Sequence, residues 1–128
     1  MTHRGSGDER AQATVELALV LPVVAVVVLV VLQVVAVLRD AAALPIAAGA
    51  AARSAMVDGD RDSAAAAATR STRLRSGRMR VELSPAGGGR PGELVTVTVH
   101  YRAPTDVAVV GRFAPDVDLV ERFVVRRE

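Results

Sequence analysis

The residue types that commonly catalyse reactions or bind metals are few in this sequence and far apart. Its two histidines are His3 and His100, and it has no cysteine. No acidic pair accompanies either histidine in a recognisable motif, so the pattern predicts neither a catalytic triad nor a metal cluster. We therefore expect no enzyme activity, no cofactor and no metal, and we expect His100 to lie on the surface of a strand.

Two further groups of residues could bind phosphate by composition. Gly87-Gly88-Gly89 is followed by Arg90 and Pro91, not by the lysine and helix of a phosphate-binding loop, which indicates a flexible turn. The densest basic run comprises Arg70, Arg73, Arg75, Arg78 and Arg80. On one side of the fold these arginines could contact lipid headgroups or DNA phosphates.

The alternative that we favour for the arginines is a solvated surface. Its charge would be balanced by Asp58, Asp60, Asp62 and Glu82. No aromatic residues alternate with the arginines to stack on bases, and the formal net charge is only +2. We expect no nucleic-acid partner.

One carboxylate occupies an unusual position, at the start of a long apolar segment. No charged residue occurs from Leu17 to Leu38, and Gln33 is the only strongly polar side chain there. A helix of this segment, with about 22 residues, is about 33 Å long, which is enough to cross a hydrocarbon core of about 30 Å. We expect this segment to span the lipid bilayer, with Glu16 at its edge.

Two interpretations of Glu16 are open. At the first turn of a helix, water and unpaired backbone amides can satisfy a carboxylate, because the helix dipole favours negative charge there. Alternatively, Glu16 acts with Gln12, which lies four residues earlier and so on the same helical face.

The string from Gln12 to Pro22, QATVELALVLP, follows a short charged leader. It resembles the amino-terminal segment of TadE-like proteins, the minor pseudopilins of tight-adherence (Flp-type) pilus systems. The residues Arg90–Val99, RPGELVTVTV, with Tyr101 and Pro104-Thr105-Asp106, are similar to the tail of actinobacterial members.

The resemblance implies a processing site and a set of partners. A prepilin peptidase would cut on the cytoplasmic side between Ala11 and Gln12, which makes Glu16 the fifth residue of the mature chain. Ala11 stands where the family usually has glycine. The implied partners are this peptidase, other pilin or pseudopilin subunits and the inner-membrane pilus platform, with the leader in the cytoplasm and the tail outside.

Length and composition limit the rest of the chain to one small domain. It has 128 residues, of which 2% are aromatic, so the core outside the membrane should be thin. We expect a leader over 1–11, a transmembrane and extended helix over 12–57, and an extracytoplasmic domain over 58–128. The leader should be disordered.

Local patterns predict a pilin-like α+β fold. The long helix should begin near Gln12, bend at Pro22 and be interrupted at Pro45 and Gly49. Its outer alanines either permit close packing of a second helix or, as we favour, simply fill a helix. Asp60 is the expected N-cap of a second helix from Arg61 to about Leu74.

Residues with period two follow this second helix. They predict three short antiparallel strands: Met79–Leu83, Leu94–Arg102 and about Leu119 to Arg126. The apolar face of this sheet should cover the outer half of the long helix.

Two functions remain open. The favoured one is a structural minor pseudopilin, in which the freed Gln12 amine of one subunit pairs with Glu16 of another. Gln33 would add an interhelical hydrogen bond. The alternative is an unprocessed, single-pass membrane-anchored module that presents its domain to an extracytoplasmic ligand.

Overall fold

The computed structural model describes residues 5–107 and 109–128. Its elements are α1 (Gly5–Val57), α2 (Arg61–Ser71), β1 (Met79–Ser84), β2 (Leu94–Ala103) and β3 (Val117–Arg126), with 3₁₀ turns at Ser76–Arg78 and Val110–Arg112. This arrangement confirms the predicted α+β combination of a long apolar helix, a short second helix and a three-stranded antiparallel sheet. His3 and the rest of the first four leader residues lie outside the described residues.

α1 is longer and more continuous than predicted. It begins at Gly5 rather than near Gln12, and it continues through Pro22, Pro45 and Gly49. Extending an existing helix costs much less than starting one, and Glu9, Arg10 and Ala11 next to the predicted start are good helix formers. Each proline removes one backbone donor, yet the neighbouring turns keep the helix continuous. The expected interruption at Pro45 and Gly49 is therefore wrong.

The sheet is a meander with strand order β1-β2-β3 and two antiparallel pairings. Alternate residues of β2, among them Val97, Val99 and Tyr101, are buried as the period of two predicted. Cross-strand neighbours continue this apolar face, since Val81 pairs with Val99 and Phe123 pairs with Val97. β2 is therefore the central strand and contributes most of the sheet's core.

Small side chains of both helices pack against this face of the sheet. The fully buried alanines are Ala47, Ala48, Ala51 and Ala55 of α1 and Ala64 and Ala68 of α2. Because alanine ends at Cβ, it lets neighbouring backbones approach closely. These alanines belong to the core, which corrects the favoured view that they merely fill a helix. Each fully buried valine opposite them contributes about 1.5–3 kcal/mol.

The turn between the helices follows the prediction at its start. Asp60 has extended backbone angles and its carboxylate accepts a hydrogen bond from the amide of Ser63 at 3.0 Å, which confirms the N-cap. α2 ends at Ser71, earlier than the predicted end near Leu74. Leu74 is instead buried in the core beyond the helix.

β2 lies along the second half of α1 and runs in the opposite direction. Next to the start of β2, the amide of Glu128 donates to the carbonyl of Met56 at 3.0 Å. Just after its end, Gln33 Nε2 donates to the carbonyl of Pro104 at 3.2 Å. A strand of ten residues extends about 34 Å, close to the roughly 35 Å of helix between Gln33 and Met56. We name the two ends of the domain the Gln33 end and the Met56 end.

The first half of α1 projects beyond this domain. Among the described residues, α1 is the one helix long and apolar enough to cross a membrane, and only 6% of its most apolar 18-residue window is buried. A core helix of a soluble protein of this length would be mostly buried. Residues 5–107 and 109–128 therefore contain a single candidate membrane span, which the domain leaves uncovered.

Candidate functional site

The helical face predicted from the spacing of Gln12 and Glu16 exists in the structure. Gln12 Nε2 donates a hydrogen bond to Glu16 Oε1 at 3.3 Å, and both side chains are exposed. None of the ion pairs among the described residues includes Glu16. Its carboxylate thus has a neutral amide partner within the chain and is accessible to a cation from another molecule.

The predicted scissile bond lies within the first turns of α1. Ala11 and Gln12 are helical and exposed, and the hydroxyl of Thr14 donates to the carbonyl of Arg10 at 2.8 Å across this bond. Helix ends open at little free-energy cost. A peptidase that binds an extended chain would therefore have to unwind these turns without disturbing the domain.

Gln33 is buried against the domain of its own chain, whereas the sequence predicted a side chain within the span that bonds to the helix of another subunit. It is 7% exposed. Besides the donation to Pro104, its Oε1 accepts from the amide of Val107 at 3.2 Å. Both ends of the side-chain amide bind the connection between β2 and β3, residues 104–116, which we call the 104–116 loop. The predicted hydrogen bond from Gln33 to another subunit stays a prediction, and it involves a side chain that already holds this loop.

Two ion pairs connect the 104–116 loop to the segment that precedes β1. Arg75 Nη2 lies 2.9 Å from Asp106 Oδ2, and Arg78 Nη1 lies 2.6 Å from Asp116 Oδ2. Asp116 also accepts from the amide of Thr105 at 3.1 Å. The Arg78 guanidinium, and then this amide, hold the pKa of Asp116 below its ordinary value. Two of the five clustered arginines are thus paired, although with Asp106 and Asp116 rather than with the acidic residues predicted.

A groove of about 620 Å³ lies beside these contacts, where α1, residues 73–75 and the start of the 104–116 loop meet. Its apolar wall includes Leu32 and Val35, and its charged rim includes Arg39, Arg73 and Arg75. Its lining residues offer charge, hydrogen bonds and apolar contact, but no histidine, cysteine or serine. This arrangement can bind a ligand through its arginines, through Asp40, Asp106 and the hydroxyl of Tyr101, and through its apolar wall.

His100 lies where the sequence predicted, on the solvent-facing side of β2. Its Nε2 is 3.7 Å from Glu82 Oε2, and both side chains are about half exposed. Among the described residues, no group of three or more histidine, cysteine or acidic side chains could hold a metal. His100 and Glu82 therefore form an exposed contact between neighbouring strands on the surface of the sheet.

The Gly87-Gly88-Gly89 segment is packed rather than free, which corrects the expected flexible turn. The guanidinium of Arg127 donates to the carbonyls of Gly88 and Gly89. Gly88 is buried, and a Cβ placed on it would lie 2.1 Å from the carbonyl oxygen of Gly59. No pattern in the sequence indicated a role for Arg127, because its partners are backbone carbonyls and carry no side-chain signature.

The chain matches no protein-family model, no curated protein sequence and no solved structure.

Proposed function

We propose that this chain is a structural, non-enzymatic minor pseudopilin of a tight-adherence type pilus machine, anchored in the cytoplasmic membrane by α1 with its domain outside. The observation that carries the proposal is the exposed apolar half of α1, with Glu16 at its start. The resemblance of the Gln12–Pro22 segment to TadE-like proteins supports it.

The exposed apolar half of α1 suits both environments that such a subunit meets. Before assembly, lipid would surround side chains such as Leu19, Val23 and Val27, which are more than half exposed. After assembly, the same surface would pack against helices of other subunits. In either case no water reaches it, so the large apolar surface is buried in the functional state.

Glu16 would then set the register between subunits. Removal of the leader frees an α-amino group on Gln12, whose pKa of about 7.7–8.0 leaves it mostly cationic at neutral pH. Pairing of that amine with Glu16 of a neighbour would neutralise both charges, whereas a register error would leave a charge unpaired in an apolar bundle. Within the uncleaved chain Glu16 Oε1 accepts from the side-chain amide of Gln12 at 3.3 Å and both side chains are exposed, which leaves the carboxylate accessible to such an amine.

A processing experiment tests the proposal. The full chain is expressed in membranes with and without a prepilin peptidase of a tight-adherence system, and its amino-terminal sequence is determined. We expect the chain to begin at Gln12 only when the peptidase is present. Ala11→Leu should block this cleavage and Ala11→Gly should preserve it. A chain that keeps its leader in every case would favour the alternative, an unprocessed single-pass module whose groove binds an extracytoplasmic ligand.

The same preparation tests the role of Glu16. Glu16→Gln keeps the shape of the side chain and removes its charge, so insertion and cleavage should stay normal while crosslinking to neighbouring subunits falls. Mass spectrometry of the mature terminus would reveal cyclisation of Gln12, which removes the amine. Equal crosslinking of wild type and Glu16→Gln would leave Glu16 as an ordinary interfacial residue.

A further inference from the structure

The 104–116 loop exposes apolar side chains at the Gln33 end of the domain. Phe113 is 84% exposed and Val109 is 55% exposed. The other two aromatic residues, Tyr101 and Phe123, both pack in the core. Scattered exposed apolar residues are common on proteins. Whether Phe113 and Val109 form a binding surface therefore depends on where they lie in the molecule.

The loop lies beside the uncharged part of α1. Gln33, which binds the loop, comes five residues before Leu38, the last residue of the uncharged segment, and thus about 7 Å before it along the axis. Val37 packs against the core at this level, but the opposite face of α1 is uncovered, since Val34, Val35 and Leu38 are 51%, 56% and 61% exposed. An apolar loop and an apolar, uncovered helix face therefore share one level of the molecule.

The length of the uncovered part of α1 indicates that the 104–116 loop lies at the depth of the bilayer. The apolar residues before the domain, Leu17–Leu32, extend about 24 Å, which is shorter than a hydrocarbon core of about 30 Å. Extension toward the amino terminus would bury Glu16 and then Gln12. Extension the other way adds Gln33–Leu38, which carry no charge, and brings the 104–116 loop along. The second extension is less costly, because burial of a carboxylate in the membrane is expensive.

We propose that the segment Val109–Ala114 is a membrane-contacting loop that inserts Phe113 and Val109 into the interface of the outer leaflet. The inference rests on the proposed membrane anchoring by α1. Inserted apolar side chains reach about 5–10 Å into the headgroup and acyl boundary. Arg112, which is exposed next to Phe113, can extend its guanidinium back to the lipid phosphates. The domain is thus held against the membrane at two points, α1 and this loop.

Tryptophan fluorescence tests this contact, because the chain has no tryptophan. Phe113→Trp is prepared in the full chain and reconstituted in phosphatidylcholine and phosphatidylglycerol vesicles, with or without phosphatidylcholine brominated near the glycerol end of its acyl chains. We expect blue-shifted emission and about a twofold or greater loss of intensity with brominated lipid, as an interfacial depth of about 5–10 Å requires.

Two matched variants locate the anchor and the far end of the domain. Val27→Trp replaces an exposed residue in the candidate span, and Val57→Trp replaces an exposed residue at the Met56 end. The first should be quenched when the bromine is placed near the methyl end of the acyl chains, because Val27 lies at the middle of the span, and the second should be quenched with neither bromine position. Quenching of Val27→Trp without quenching of Phe113→Trp would overturn the loop contact and leave the anchor intact, whereas quenching of neither would overturn both.

A contact with a second copy of the chain predicts another result. Phe113→Trp would then show blue-shifted emission that depends on protein concentration and does not respond to brominated lipid. That outcome also overturns the membrane contact.

Discussion

Replacement of Gln33 tests whether this buried amide holds the 104–116 loop on α1. Gln33→Leu keeps a side chain of similar size and removes both hydrogen bonds, to the Pro104 carbonyl and from the Val107 amide, each at 3.2 Å. A buried backbone group left without a partner costs about 1–3 kcal/mol. Pro104 and Val107 are only half-buried, so water recovers part of this cost, and we expect about 2–3 kcal/mol for the two groups together.

The loop should open locally rather than with the whole domain. The contacts that still hold the loop after this substitution include the exposed ion pair of Arg75 and Asp106. Exposed ion pairs contribute about 0–1 kcal/mol to stability. They cannot offset the loss of both hydrogen bonds to Gln33. A change of about 2–3 kcal/mol corresponds to an increase of about 30- to 150-fold in the population of the open loop.

Hydrogen exchange of the Val107 amide measures this opening directly in detergent micelles or vesicles. Exchange should accelerate by the same factor in Gln33→Leu. Gln33→Glu keeps an acceptor for the Val107 amide and removes the donor to Pro104, so it should retain part of the protection. Val34→Leu, at the exposed neighbouring residue, is the control and should change nothing. Unchanged exchange of Val107 in Gln33→Leu would refute the role of Gln33 in holding the loop.

Two further predictions concern the rest of the domain. Gly87 and Gly88 both have positive φ, 86° and 73°, so alanine costs about 1–2 kcal/mol at either, but only at Gly88 does the new Cβ meet Gly59. Gly88→Ala should therefore lower the thermal midpoint further than Gly87→Ala, and equal midpoints would contradict the packed turn. Because Arg78 depresses the folded-state pKa of Asp116, this carboxylate stabilises the fold above its unfolded pKa of about 3.9, and the contribution disappears as the pH falls through the folded value. The stability difference between wild type and Asp116→Asn in urea should shrink below about pH 4, and a difference independent of pH would exclude this linkage.

The sequence predicted those parts of the fold whose signals are local. The alternation of Val97, Val99 and Tyr101 identified the buried face of β2, because side chains of a strand alternate between its two sides. Asp60 identified the start of α2, because an N-cap needs only a side-chain oxygen and amides within three residues. For both features the physical cause lies within a few residues of the signal.

The parts that could not be predicted depend on contacts distant in the sequence. Gln33 was assigned to the membrane span from its neighbours, yet its partners lie more than seventy residues away. The alanines of α1 have no period that distinguishes core from surface, and only the sheet opposite Ala47 and Ala51 identifies them as core. Glu16 is the reverse case, since the structure supports its contact with Gln12 while its proposed partner belongs to another chain.

The continuity of α1 links the position of Glu16 to that of the domain. α1 extends without a break from the candidate span into the core, so rotation of the domain about the axis must also rotate Glu16. In a regular helix the 17-residue separation of Glu16 and Gln33 corresponds to about 25 Å along the axis and about 100° around it. Gln33 faces the domain, and Glu16 therefore faces to one side of it. A neighbouring subunit whose amine pairs with Glu16 would approach beside the domain rather than behind it. By the same geometry Arg39, on the rim of the groove, lies about 35 Å along the axis from Glu16 and about 140° around it, so the groove faces away from that contact and stays open to a different ligand.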